Sequence, residues 1–482
     1  MRQGHSLPPL TGRRIAVRAL IGLHEALLGR RTLSLARQLE QTQWLPERAL
    51  RAMQLEKLRA LISHASTHCP YYRALSLPMV DCFRTVNDLL HVPLLTRAEL
   101  RRNAAEMRWA RMPGRFLTDH THGTSDESFA FYCDRSRQAW DKALRLRGHR
   151  WHGFEPGDRE LHLWPIDPPR NRSARLRQWL RHRRDALVAE MQIDSLQVTK
   201  EDVREFWRRW AEFAPTRVTA YPSALAEMIL EGHRLGCQMA STSVRRIFLT
   251  GEVTFDWQRR LIEDLLQAEV TESYGLQEAG AIAFCCEAGS WHTSDEAFVV
   301  EILRDGHPAA SGEWGELVVT CLESRAMPLV RYCTGDIVRA QHLGGCDCGR
   351  GLARIPPIVG RSSDFLESAD GRWIPPAEVV ATLGAVLDDG AWQLRQTDEG
   401  DVTLDVIADG RHHRVAREQA RLLLQRLLGR GMACTVRPVS ALRRTSFGKR
   451  RYIESLRTRR GLALPREIDD GSERCPTARN PT

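Results

Sequence analysis

The sequence predicts an α/β protein of two unequal parts: a large N-terminal domain of mixed sheets and helices, and a small α+β domain behind it. Three observations carry this. Short apolar, strand-like runs alternate with helical stretches from 136 to 280, successive strand patterns separated by turn residues fill 298 to 340, and strand and helix alternate afresh after Gly360. Length agrees, since 482 residues that are 42% hydrophobic suffice for more than one covered core.

Taken in order, residues 12 to 66 read as helices. The stretch 13 to 38 is Arg-rich with a helical period, a pattern shared with transit peptides and membrane-surface helices. Glu25 and the continuation into LEQTQWLPERALRAMQLEKLRALISHA read instead as a structural helix pair. Between 113 and 135 a Gly/Ser/Thr-rich turn precedes the alternating run Phe129, Phe131, Cys133, which is a hairpin around a loop. ELHLWPI, TRVTAY, RRIFLTG and EVTESYG then read as strands, with helices over SALAEMILEGHRL and FDWQRRLIEDLLQ. FVVEIL, GELVVTCL, PLVRY and DIVRA read as successive strands of an antiparallel addition. After Gly360, TLDVIA and CTVRPV flank a helix over VAREQARLLLQRLLG. The expected domains are 1–360 and 361–460, followed by a Pro, Arg, Asp and Ser rich tail, 461–482, that frays.

Composition excludes several classes. Seventy Lys and Arg against sixty Asp and Glu leave a charge of +10, but both signs are interspersed as on an ordinary solvated surface. No basic block is interleaved with aromatics so as to cradle bases, so nucleic acid is not an expected partner. No stretch has the roughly 20 apolar residues of a membrane span, and no apolar signal core stands at the start; a soluble, cytoplasmic protein is expected. Twelve cysteines are too sparse for a disulfide scaffold, and the two tight pairs Cys285-Cys286 and Cys346-Asp347-Cys348 point to metal.

The polar strings fall where chemistry would need them. Gly123, Thr124 and Ser125 sit in the hairpin turn, where backbone NH and side-chain OH groups can donate to phosphate oxygens, as in many polar turns. Gly251 and Glu252 end one strand; Tyr274 and Gly275, with Glu278 just beyond, end the next. Ends of neighbouring strands are where open α/β sheets place ligands. An aromatic beside Gly suits a flat base, and a carboxylate one turn on suits Mg²⁺ bound to phosphates. Asp336 follows a tight turn in RYCTGD and can accept from a ribose diol, while Arg361 and Asp364 stand in GRSSD at the domain junction. Lys449 closes RRTSFGK, a single ammonium in an Arg-dominated loop, suited to a phosphate-linked anion.

The ordered set YGLQE, RYCTGD, GRSSD and RTSFGK, opened by LRALISHASTHCPYYRAL, resembles the adenylate-forming superfamily from about residue 50 to about 455. Within it, the resemblance is to the phenylacetate-CoA ligase-like branch that includes capsule-biosynthesis-type proteins. That resemblance implies the adenylate-forming fold with a mobile C-terminal lid. It implies ATP-dependent adenylation of a small carboxylic acid and transfer of the acyl group to a thiol, with CoA the expected acceptor. It also assigns residues. Glu278 would hold Mg²⁺, Asp336 the ribose hydroxyls, Arg361 the nucleotide side, and Lys449 the carboxylate and α-phosphate. Gly251, Glu252, Tyr274 and Gly275 would surround adenine and acyl group, and the turn at Asp364 would be the hinge. Two alternatives stay open: transfer to a carrier protein, an amine or a hydroxyl, and a catalytically silent nucleotide-binding protein.

One departure from the family bears on the second alternative. Where the phosphate loop usually continues Gly-Lys-Pro, Ser125 is followed by Asp126-Glu127-Ser128, and two carboxylates beside a triphosphate disfavour ATP unless they point away or bind through metal. Separately, Cys286, His292, Cys346 and Cys348 supply a Cys3His set for structural Zn²⁺, with Cys285 spare. Trp151 and Trp164 are candidates for the acyl pocket or for plain core.

Overall fold

The computed structural model describes residues 11–113, 116–120, 129–166, 171–196, 198–239, 243–387, 390–407, 414–429, 431–445 and 450–457. Its N-terminal layer is helical: Gly12–Leu28, Thr32–Thr42 and Glu47–His68. The expected helix pair forms, and Glu25 shows why. Its buried carboxylate accepts from the Thr32 N–H at 2.8 Å, capping the second helix from within the first. The third helix is tied to the sheet behind it, as the Gln54 side chain donates to the Phe298 carbonyl at 2.7 Å. Tyr72 just beyond donates to that of Pro328 at 2.8 Å.

The eight-stranded sheet is the frame of the molecule. Five parallel strands run in the order Glu190–Asp194, Glu160–Trp164, Arg217–Ala220, Arg246–Thr250, Glu269–Leu276, and three antiparallel ones follow: Gly280–Cys285, Trp291–Thr293, Arg354–Ile355. Leu161, Leu163, Val218, Ile247 and Leu249 are fully buried against Phe206, Leu225, Ile229 and Ile262 of the crossover helices. Burial on both faces is why these strands read as continuous apolar runs.

A five-stranded antiparallel sheet adjoins it, in the order His307–Pro308, Phe298–Arg304, Trp314–Cys321, Tyr332–Arg339, Ile358–Arg361. One expectation is corrected here: PLVRY and DIVRA are not two strands. Arg331 takes φ 49°, breaking the extended chain, and its guanidinium is held by Glu301 at 2.9 Å and by the Val92 carbonyl at 2.7 Å. A single strand therefore begins at Tyr332. The hairpin forms as expected, Leu117–His120 pairing antiparallel with Ala130–Cys133 and burying Phe129, Phe131 and Cys133; its loop lies outside the described residues.

Beyond Gly360, four strands order as Cys434–Val439, Val402–Ile407, Trp392–Gln396, Ile453–Ser455, covered by the helices Pro376–Gly384 and Arg414–Leu428. Trp257 of the crossover helix Asp256–Leu266 packs into this core. The tail from 461 lies outside the described residues.

Candidate functional site

The two strand ends singled out in the sequence open into one cavity of about 320 Å³. Gly251, Glu252, Tyr274, Gly275, Asp336, Arg361 and Asp364 all line it. Each is placed by local geometry. Gly275 lies where the strand Glu269–Leu276 meets its antiparallel neighbour, and a Cβ there would stand 2.6 Å from the Gly280 carbonyl, a clash that only glycine avoids. Asp336 follows a bulge. Pairing moves from Cys333↔Val318 to Ile337↔Glu316, so three residues oppose Leu317, and Gly335 takes φ 78° to make the turn. Thr334 fixes it, its hydroxyl donating to the Leu317 carbonyl and accepting from the Asp336 N–H at 3.0 Å.

At the cavity wall the Tyr274 hydroxyl donates to Asp336 Oδ2 at 2.6 Å, and Arg361 Nε stands 3.4 Å from Oδ1. Burial pushes the Asp336 carboxyl up from its ordinary range, against the pull of Arg361 and of the Tyr274 hydrogen bond. Burial and the Asp336 charge together push the Tyr274 phenol well up, so it remains a donor. Burial opposes the charge of Arg361, but Asp336 and Asp364 outweigh it and hold the guanidinium protonated. Asp364, in the short turn Ser362–Asp364, accepts from the Arg361 N–H at 3.0 Å and pairs with Arg451 at 2.9 Å, joining the domain junction to the segment that follows Lys449. Glu278 is apart from the cavity lining; it is buried, and Tyr332 donates to its Oε1 at 2.8 Å. Glu252 accepts from the Ser223 N–H at the start of the helix Pro222–Arg234.

Gly123, Thr124, Ser125, Asp126, Glu127 and Lys449 lie outside the described residues. Sequence reading overlooked Arg450, Arg451, Tyr452 and Pro376, which also line the cavity. The first three directly follow Lys449, so the signal was adjacent to a residue already chosen.

A second cluster is compact. The ligand atoms of Cys286, His292, Cys346 and Cys348 all lie within 4.8 Å of one another. Cys286 Sγ and Cys346 Sγ are 3.8 Å apart, and thiolates sharing a tetrahedral Zn²⁺ at about 2.3 Å stand roughly 3.8 Å apart. His292 Nε2 is 3.3 Å from Cys348 Sγ, while its Nδ1 meets the Leu352 carbonyl at 3.1 Å. A carbonyl at Nδ1 makes that nitrogen the donor and leaves the Nε2 lone pair facing the sulfurs, the arrangement a ligating imidazole needs. The donor set and its spacing therefore fit zinc. Cys285 stays outside the group, as expected. Trp151 is core, edge-on to His292 at 6.0 Å, and Trp164 stacks on Tyr221 at 4.2 Å.

No protein-family model matches the sequence. The chain is 27% identical to a phenylacetate-coenzyme A ligase of Thermus thermophilus over 71% of its own length and 77% of that protein. It is 21% identical to protein CapK of Staphylococcus aureus, over 59% and 62% of the two chains. Among solved structures, 2-hydroxyisobutyryl-CoA ligase in the postadenylation state, in complex with R3-HIB-AMP, superposes with a TM-score of 0.70. The match has 18% identity and covers 87% of this chain and 92% of that one, so this likeness is one of fold.

Proposed function

We propose that this chain, a relative of the phenylacetate-CoA ligases within the adenylate-forming superfamily, is an AMP-forming acid–thiol ligase. It transfers the AMP moiety of ATP to a carboxylic acid with release of pyrophosphate, and then passes the acyl group to the thiol of CoA with release of AMP. The observation that carries this is the convergence of Tyr274, Asp336 and Arg361 in one cavity at the carboxyl ends of the parallel strands. Asp336 is the acceptor for the ribose hydroxyls. Tyr274 and Arg361 hold its carboxylate in place, and Arg361 faces the nucleotide with a fixed positive charge. Gly251, Glu252 and Gly275 shape the walls around adenine and acyl group. Lys449 neutralises charge between carboxylate and α-phosphate, and Glu278 is the carboxylate assigned to Mg²⁺, which would screen the phosphates. The turn at Asp364 is the hinge of the small domain.

Zn²⁺ on Cys286, His292, Cys346 and Cys348 is structural in this reading: four protein ligands leave no open position, so the metal pins two loops. A test of the whole reading measures acid-dependent pyrophosphate release over a panel of aryl and fatty acids, and then compares CoA with carrier-protein, amine and hydroxyl acceptors. Acid-dependent release with CoA as the best acceptor is expected; a panel without any active acid counts for a silent nucleotide-binding protein, the alternative suggested by Asp126 and Glu127.

A further inference from the structure

The helix Arg172–Leu187 is built inside out. It lies at the outer edge of the eight-stranded sheet, against the edge strand Glu190–Asp194, and of its sixteen residues only Asp185 is buried. Leu176, Trp179, Leu180 and Leu187 are 58, 52, 52 and 66% exposed. At i, i+3, i+4 and i+11 they fall on one stripe, and Asp185 lies on the opposite side of the helix. The apolar face thus points to solvent, the reverse of a helix built to cover a core. A helix of this length gains little stability from propensity alone, so a face of this kind is one that a partner covers.

Charge identifies the partner. The helix carries six arginines and His182 against a single acid, Asp185, which Arg184 neutralises at 2.6 Å. Among the described residues Arg172, Arg175, Arg177 and Arg181 form no ion pair, and the Arg183 guanidinium lies over the Trp179 ring at 5.0 Å. A second copy seated on this face would oppose arginine to arginine. The helix Gly12–Leu28 repeats the device, with Leu20, Leu23 and Leu27 exposed by 43, 61 and 78% on one side, and Arg14 and Glu25 buried on the other. Its His24 is within electrostatic reach of Arg184.

We infer that the solvent-facing stripe of Arg172–Leu187 is a docking surface for an anionic lipid membrane. Leucines and Trp179 enter the headgroup boundary while the flanking arginines bind lipid phosphates. Among the described residues no helix is long and apolar enough to cross a membrane, so the protein lies on the surface.

The test is sedimentation of the full chain with vesicles of phosphatidylcholine alone and of phosphatidylcholine with roughly 30% phosphatidylglycerol, at low and high salt. Binding is expected only to the anionic vesicles, falling with salt. Arg175→Gln with Arg177→Gln and Arg181→Gln should weaken it on the order of 100-fold, and Trp179→Glu with Leu180→Glu by at least about ten-fold. All five positions are outside the cavity and none is buried, so thermal unfolding should be unchanged in both variants. Equal binding to neutral vesicles, absence of binding, or binding indifferent to both variants overturns the proposal. So does a dimer that the Trp179 and Leu180 changes convert to monomer, because the face is then covered by a second copy.

Discussion

The Cys/His cluster and the cavity at the strand ends are held in different ways. Around Cys286, His292, Cys346 and Cys348 the supports are mainly backbone: the Cys286 N–H donates to the Ser290 carbonyl, the Gly349 N–H to that of Cys346, and the Leu352 carbonyl aligns His292. The cavity instead rests on side chains from distant segments, with Tyr274, Asp336 and Arg361 linked to one another and Asp364 linked onward to Arg451. The first can be complete before anything binds. The second shares a wall with Arg450, Arg451 and Tyr452, so any displacement of that segment changes it. Rigidity thus belongs to the Cys/His cluster and adjustability to the cavity.

The largest expected effect breaks the adjustable side. Lys449→Ala should slow adenylation by about 10²-fold or more while leaving thioester formation from a supplied acyl-adenylate largely intact, read by separate half-reaction assays. Equal loss in both half-reactions removes the assigned role.

On the rigid side, protein purified without chelator should carry about one zinc per chain, and strong chelation should lower its melting temperature, since structural metal binding is coupled to folding. Cys348→Ser should lose the metal and the stability. Metal analysis without zinc would leave the cluster as three reduced thiols beside an imidazole.

The smallest effect sharpens the electrostatic contrast. Burial pushes the Glu316 carboxyl from 4.5 up to about 7, against the Gly335 N–H that donates to it at 2.8 Å and with a smaller push from the Asp336 charge. The folded state therefore holds a proton that the unfolded state has released. The stability from that proton is full below about pH 4.5 and is lost as pH rises through about 7. Glu316→Gln should then raise the melting temperature by about 1 °C at pH 8, worth roughly 1 kcal/mol, and leave it unchanged near pH 4.5. Equal shifts at both pH values would place the effect in packing.

What the sequence revealed follows the same division. The parallel strands were legible because burial on both faces makes them continuous apolar runs, and the Cys-x-Cys pair because its thiols are close in sequence. Asp336 was legible from its turn, though not the bulge that aims it, because the bulge depends on pairing with Leu317 across the sheet. The strand Glu190–Asp194 was missed because its alternation is weak and its place at the sheet edge demands less burial. Arg451 was missed because its partner, Asp364, lies in a different segment, which no local pattern could bring to it.

The most direct test of the account is acid-dependent exchange of pyrophosphate into ATP, measured for the wild type and for Asp336→Ala with the best acid of the panel. Exchange is expected in the wild type, with a loss of roughly 10- to 100-fold in the variant, the worth of a charge-assisted hydrogen bond to the nucleotide. Exchange in the variant at the wild-type rate would contradict it, because the cavity framed by Tyr274, Asp336 and Arg361 would then not be where the nucleotide binds.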